Sequence, residues 1–278
     1  DDSAYSVLSG VGVGGGIAEL YGRVGEANLR RWLPFEPRPD EVRTWVLNRA
    51  IGPGALALTL RDSLIEQAAI REALRLAIEE ISLDEPPSLL IGSGAPARAV
   101  DTTLGTVLLL DALSVARPRW RRVEIALDPH NVLTALGALA SVDPDMAAEV
   151  WEHDAPLIAA TVVSARGAKR GMPAVLVTAR WGETVVENQV PEGALHPVQP
   201  PAGESLVVEL APQRSVQVEG ARRKQPARLH MSVSARNALP QLLLDTRPAT
   251  TGGEARAAVV ATYLSSSGAY RARDLENL

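Results

Sequence analysis

Cysteine is absent from the 278 residues, which removes disulfides, thiolate nucleophiles and thiolate metal sites together. Aromatic residues are scarce, at 4% with a single Phe, while hydrophobic residues make up 46%. The core must therefore be aliphatic, built from Leu, Val, Ile and Ala. Lysine occurs only at Lys169 and Lys224, so nearly all the positive charge is Arg, a pattern we read first as coding bias. The net charge of −5 comes from mixed signs, without the clustered cations of a broad nucleic-acid footprint. No apolar run approaches the ~18 residues of a membrane helix, and no basic segment followed by an apolar one opens the chain as a signal peptide would. We therefore expect a cytoplasmic protein without nucleic-acid or membrane partners. The chain opens "DDSAYS" without an initiator Met, and we expect it to start inside a longer protein.

What is present alternates. "YSVLS" at 5–9 reads as a short strand, and "IAELYGRVGEANLRRWL" as one or two helices. Asp40 is placed to cap "EVRTWVLNRAI". The clearest helix is 63–80, with Asp62 as N-cap, a capping box from Ser63 to Glu66, and an apolar stripe through Leu64, Ala68, Ile70, Leu74 and Ile78. Glu72 and Glu79 fall on other faces. "SLLIGSGAPARAV" reads as strand and turn, "TTLGTVLLLDALS" as helix, "RRVEIALD" as strand, and "HNVLTALGALASV" and "PDMAAEVWEH" as helices. Such alternation marks an α/β layer. After about 155 the chain turns into short β-rich runs split by Gly and Pro, which suggests a sandwich or barrel. The expected division is an α/β lobe over 1–154, a β-rich domain over 155–264 and a frayed tail over 265–278.

Few motifs carry chemistry. Gly10, Gly12 and Gly15 fit G-x-G-x-x-G, but a dinucleotide site also needs an acidic residue about 20 positions on, at the end of a second strand. Glu36 and Asp40 lie in a Pro-rich break, so a tight turn or a glycine-rich loop near a ligand is the better reading. Gly92-Ser93-Gly94 follows an apolar strand and precedes a helix. It is either a plain turn or a ledge where bare backbone meets a nucleotide's base and sugar. Ser93 lacks the G-x-S-x-G order of a hydrolase elbow. His130, His153, His196 and His230 form no metal-ligand spacing, and Asp128, Asn131, Asp143 and Asp145 read as helix caps. Arg166, Lys169 and Arg170, and then Arg222, Arg223 and Lys224, read as cationic hairpin tips, solvated or facing an acidic partner or a phosphate.

Taken in order, "GVGVGG…NLRRWLP", "EQAAIREALRLAI", "LLIGSGAPAR", "VEIALDPHNVLTALGALASVDPDMAAEV", "VVSARGAKRG", "PAGESLVVELAP" and "LLLDTRP" resemble the MutL-type accessory proteins associated with glutamate mutase. These are not the mismatch-repair protein. Members are similar to the actin and Hsp70 ATPase superfamily and are described as reactivating factors for cobalamin-dependent mutases. The likeness covers about 7 to 250. It implies an actin-like (ribonuclease H-like) lobe lacking its N-terminal part, in which Gly92, Ser93, Gly94 and Ala95 form the adenosine motif. Gly12, Gly14 and Gly15 would follow the second phosphate loop. It also implies an upstream D-x-G-[ST] phosphate loop, ATP or ADP with Mg²⁺ in the full-length protein, and a cobalamin-dependent mutase as partner. Members more often carry Gly-Gly where this chain has Ser93-Gly94-Ala95. Without assigned carboxylates, this stretch is expected to bind nucleotide with little or no hydrolysis. A non-enzymatic scaffold on the same core, and a sugar or acyl kinase, are the other readings.

Overall fold

The computed structural model describes residues 6–81, 85–98, 101–154, 157–222, 225–232, 241–248 and 256–278. It is a mixed α/β structure, with eight helices and two sheets among these residues. Two compact units are formed, one from 1–86, 108–119 and 248–278, the other from 87–107 and 120–247.

The first unit is helical. α1 (Ile17–Arg30) is kinked at Gly25, matching the expectation of one or two helices. α2 (Glu41–Ile51) starts after Asp40 as expected, but the Asp40 side chain makes no cap bond. Glu41 instead accepts from the Arg38 amide at 2.8 Å. α3 (Leu60–Glu80) begins one turn earlier than its sequence pattern implied. Thr59, not Asp62, is the N-cap, and Asp62 completes the box: each side chain accepts the other's amide, at 3.1 and 3.2 Å. The predicted stripe is buried at Leu64, Ala68, Ile70 and Ile78. Glu72, expected on another face, is buried too, because Trp32 Nε1 donates to it at 2.6 Å and Arg31 and Arg75 pair with it.

The second half of α4 (Thr102–Ala116) supplies Asp111, which takes Arg71 Nε of α3 at 2.6 Å. Both are almost fully buried, so each charge requires the other. Tyr263 donates to the same carboxylate oxygen at 3.3 Å. Tyr263 lies on a helix that neither the β-rich domain nor the frayed tail anticipated. The end of the chain folds as two helices, later numbered α7 (Arg256–Ser266) and α8 (Ala272–Glu276). Val260, Tyr263, Leu264 and Leu275 are buried there, and Tyr270 accepts from Gln67 Nε2 at 2.5 Å.

The second unit holds both sheets. Its elements are β1 (Leu89–Ser93), β2 (Arg122–Asp128), α5 (Val132–Ala140), α6 (Pro144–Asp154), β3 (Leu157–Arg166), β4 (Pro173–Trp181), β5 (Thr184–Pro191), β6 (Leu195–Val198), β7 (Ser205–Pro212), β8 (Gln217–Val218), β9 (Ala227–Ser232) and β10 (Gln241–Asp245). The larger sheet runs β1-β2-β3-β10-β6, with β8 also on β3. The smaller runs β5-β4-β7-β9, antiparallel throughout. The expected boundary near 155 is not a boundary between these units. β2 and β3 pair across it, from Arg122↔Val163 to Leu127↔Leu157. The stretch read as a strand at 5–9 is not one in its described part, 6–9, and β6 is a strand that its sequence did not announce.

Period-2 alternation explains the second core. Val175, Val177 and Ala179 of β4 and Leu206, Val208 and Leu210 of β7 meet Val163 and Ala165 of β3 and Leu242 and Leu244 of β10 in one cluster. Each buried Val or Leu side chain contributes about 1.5–3 kcal/mol. At the end of β10, Asp245 is fully buried and bonded to Arg247 Nε at 3.0 Å and to Arg166 Nη2 at 3.3 Å. Arg166 is therefore no solvated hairpin tip; it lies over the Trp120 ring, 5.7 Å from the centroid. Lys169 and Arg170 are exposed.

Burial pushes the Asp245 carboxyl up, but the Arg247 and Arg166 charges outweigh it and hold the group below its ordinary 3.8. A carboxyl lowered by folding stabilises above its unfolded value, and that stability is lost as pH falls through the folded one. Urea denaturation across the acid range should show this loss starting below about pH 4. Asp245→Asn should flatten that limb and cost about 3–5 kcal/mol at neutral pH, since the buried Arg247 and the half-buried Arg166 lose their counter-charge. An unchanged acid limb in the variant would exclude this account.

Candidate functional site

β1 and β2 run parallel, in register from Leu89↔Glu124 to Ser93↔Asp128. Their carboxyl ends therefore lie side by side. In open α/β sheets the crevice beyond such ends is the usual place for a ligand. Both chains turn sharply there. After β1 the chain enters a turn over 94–98, with Gly94 at φ 71° and the Arg98 amide donating to Gly94 O at 3.0 Å. After β2 it passes through Asn131, left-handed at φ 55°.

Three side chains hold these turns. Ser93 Oγ donates to Asn131 Oδ1 at 2.8 Å. The buried Asp128 carboxylate accepts the Val132 and Leu133 amides at 2.8 and 3.1 Å. Asp128 thus caps α5, as expected. Asn131 occupies the N-cap position without a side-chain cap bond and spends its side chain on Ser93. His130 is exposed between them.

The four predicted ledge residues stay together at this end. Gly92 is buried, Ser93 exposed, and Gly94 and Ala95 half-exposed. A Cβ built on Gly94 would meet no described atom beyond its chain neighbours within 4 Å, so none of the other described side chains plugs the spot. Open backbone, one hydroxyl and one carboxamide form a polar surface that can take the edge of a heterocycle or a sugar hydroxyl.

The turn is seated by a residue the sequence reading passed over. A Cβ on Gly105 of α4 would lie 2.5 Å from Pro96 O and 3.0 Å from Leu127 Cδ1. A glycine inside a helical apolar run is the signal that marked it.

Gly12, Gly14 and Gly15 belong to the other compact unit, in the loop before α1. Gly14 O accepts from the Ile17 amide at 3.1 Å. Cβ atoms on Gly12 and Gly15 would meet nothing within 4 Å, and one on Gly14 would make only ordinary contact with Pro53. The glycine this loop needs is Gly16, where a Cβ would collide with the Gly10 carbonyl.

Among the described residues no group of three or more His, Asp or Glu is placed to hold a metal ion, and no helix is long and apolar enough to cross a membrane. His196 is half-buried; burial pushes its pKa down, and its Nε2 has no hydrogen-bond partner among the described residues. Compared with family models, characterised proteins and solved structures, the chain matches none.

Gly105→Ala separates the seat from helix propensity. Propensity alone predicts a gain of up to about 1 kcal/mol. The collision with Pro96 O predicts a loss of about 1–3 kcal/mol. Urea denaturation reads the sign, and a stabilised variant would show that the turn does not rest on α4.

Proposed function

We propose that the chain is the adenosine-binding part of an actin-like (ribonuclease H-like) ATPase, an accessory or reactivating chaperone for a cobalamin-dependent mutase. One observation carries this reading: open backbone at Gly94, beside an exposed Ser93, at the paired carboxyl ends of two parallel strands. The nucleoside takes the segment from Gly92 to Ala95, and the polar groups offered to its ribose are Ser93 and Asn131. The resemblance of "LLIGSGAPAR" to the adenosine motif of actin-like proteins names adenosine rather than another heterocycle. It also supplies the mutase as partner and ATP or ADP with Mg²⁺ as cofactor of the full-length protein. Gly12, Gly14 and Gly15 are the second glycine set of that reading.

Phosphoryl transfer rests on positioning and on neutralising charge around the phosphates. The sequence assigns no carboxylate to a metal ion or to the attacking water, so this chain binds nucleotide with little or no turnover. The scaffold reading has its own support. Val142, Met146 and Trp151, in and between α5 and α6, are 84%, 51% and 40% exposed, as on a surface used for protein contact.

Calorimetric titration with ADP and with adenosine tests the proposal. Both should bind weakly, with Kd of roughly 0.1–1 mM, which is about −4 to −5.5 kcal/mol. Gly94→Asn should abolish binding while leaving the fold intact, since Asn tolerates positive φ but fills the ledge. Absence of binding by the unmodified chain would leave the scaffold reading. Robust ATP turnover by this chain would contradict the assignment of roles.

A further inference from the structure

A second concave surface lies elsewhere in the β-rich unit, formed by the end of β7, β8 and the turn that follows. It is an open groove of about 1070 Å³. Among the described lining residues its charges are unequal: Arg121, Arg214 and Arg222 against Glu219 alone. All three arginines are exposed, and among the described residues none forms an ion pair, although Arg121 donates to Gln217 Oε1 at 3.4 Å. In sequence Arg223 and Lys224 follow Arg222; they lie outside the described residues. This positive concentration stands on a chain whose net charge is −5.

The rest of the lining is different. Val216 and Val218 are each only 7% exposed, and the exposed Gln213, Gln217 and Gln225 add carboxamides. A carboxamide both donates and accepts, which suits the main chain of an extended peptide. The arginines arrive from three separate segments, 121, 214 and 222, and each stays exposed. A small phosphate needs donors converging on one point. Spread and solvated cations instead complement a series of acidic side chains and steer them in. Single-stranded nucleic acid would want aromatic platforms for its bases, and no described residue lining the groove is aromatic.

We propose that this groove docks an acidic polypeptide segment of a partner protein, with Arg121, Arg214 and Arg222 facing its carboxylates. The proposal does not rest on nucleotide binding and survives if the ledge is empty in function.

Fluorescence anisotropy with a labelled peptide of alternating Glu and Ser tests it on the whole chain. The peptide should bind, weaken as salt rises, and lose its affinity when every Glu is replaced by Gln. The double variant Arg214→Glu, Arg222→Glu should weaken binding by roughly tenfold or more. The double variant Arg23→Glu, Arg273→Glu changes net charge equally but lies in α1 and α8, and should stay within about twofold. Four results would each overturn the proposal: no binding of the Glu peptide, equal binding of the Gln peptide, tighter binding of an oligothymidine, or displacement by equimolar inorganic phosphate. Equal loss in both double variants would do the same, by assigning the effect to overall charge.

Discussion

The β-rich unit depends on how β3 is paired. It takes β2 antiparallel on one side, β10 parallel on the other, and β8 near its end. Ala160, Val162, Val163 and Ala165 are all at most 1% exposed, so both faces of this strand are covered. Small and β-branched residues suit such a position. The β2–β3 ladder also decides where β2 ends, and therefore where Asp128 and Asn131 stand relative to Ser93. The ledge is in this sense a product of sheet register. A one-residue slip of β2 would turn Val123, Ile125 and Leu127 away from the face they now cover and break the alignment of Ser93 with Asp128.

Buried charge sets the second constraint. Each unit contains an arginine–carboxylate cluster away from water: Arg71 with Asp111 in one, Arg247 and Arg166 with Asp245 in the other. Such pairs add little net stability over well-packed apolar residues, but they penalise any arrangement that separates them. The cores are not purely aliphatic as expected, since Trp32, Phe35, Trp45, Trp120 and Tyr263 are buried in them, and polar clusters of this kind add to the specificity of position.

Periodicity made much of the fold readable. The stripe from Leu64 to Ile78 marked α3, and the alternation in "AVLVTARW" and "ESLVVELA" marked β4 and β7. Pairing was not readable, because the residues of β2 and β3 that meet are about 35 positions apart and nothing local names the partner. α7 was missed for a different reason. "RAAVVATYLSS" is short, and its Val-Val and Thr carry strand preference, while its burial comes from Tyr263 meeting Asp111 across the sequence. Glu72 was misplaced for the same cause: its neighbours Trp32 and Arg31 come from the loop after α1. At the candidate site the glycine pattern located the turn, whereas the Ser93–Asn131 bond and the seat on Gly105 needed the fold.

Whether the bare turn after β1 receives a nucleoside, as proposed, is read by amide chemical-shift mapping during titration with adenosine. Perturbations should concentrate at Gly92, Ser93, Gly94, Ala95 and Asn131. Silence at those amides, with shifts gathered in another part of the chain or nowhere, would contradict the proposal.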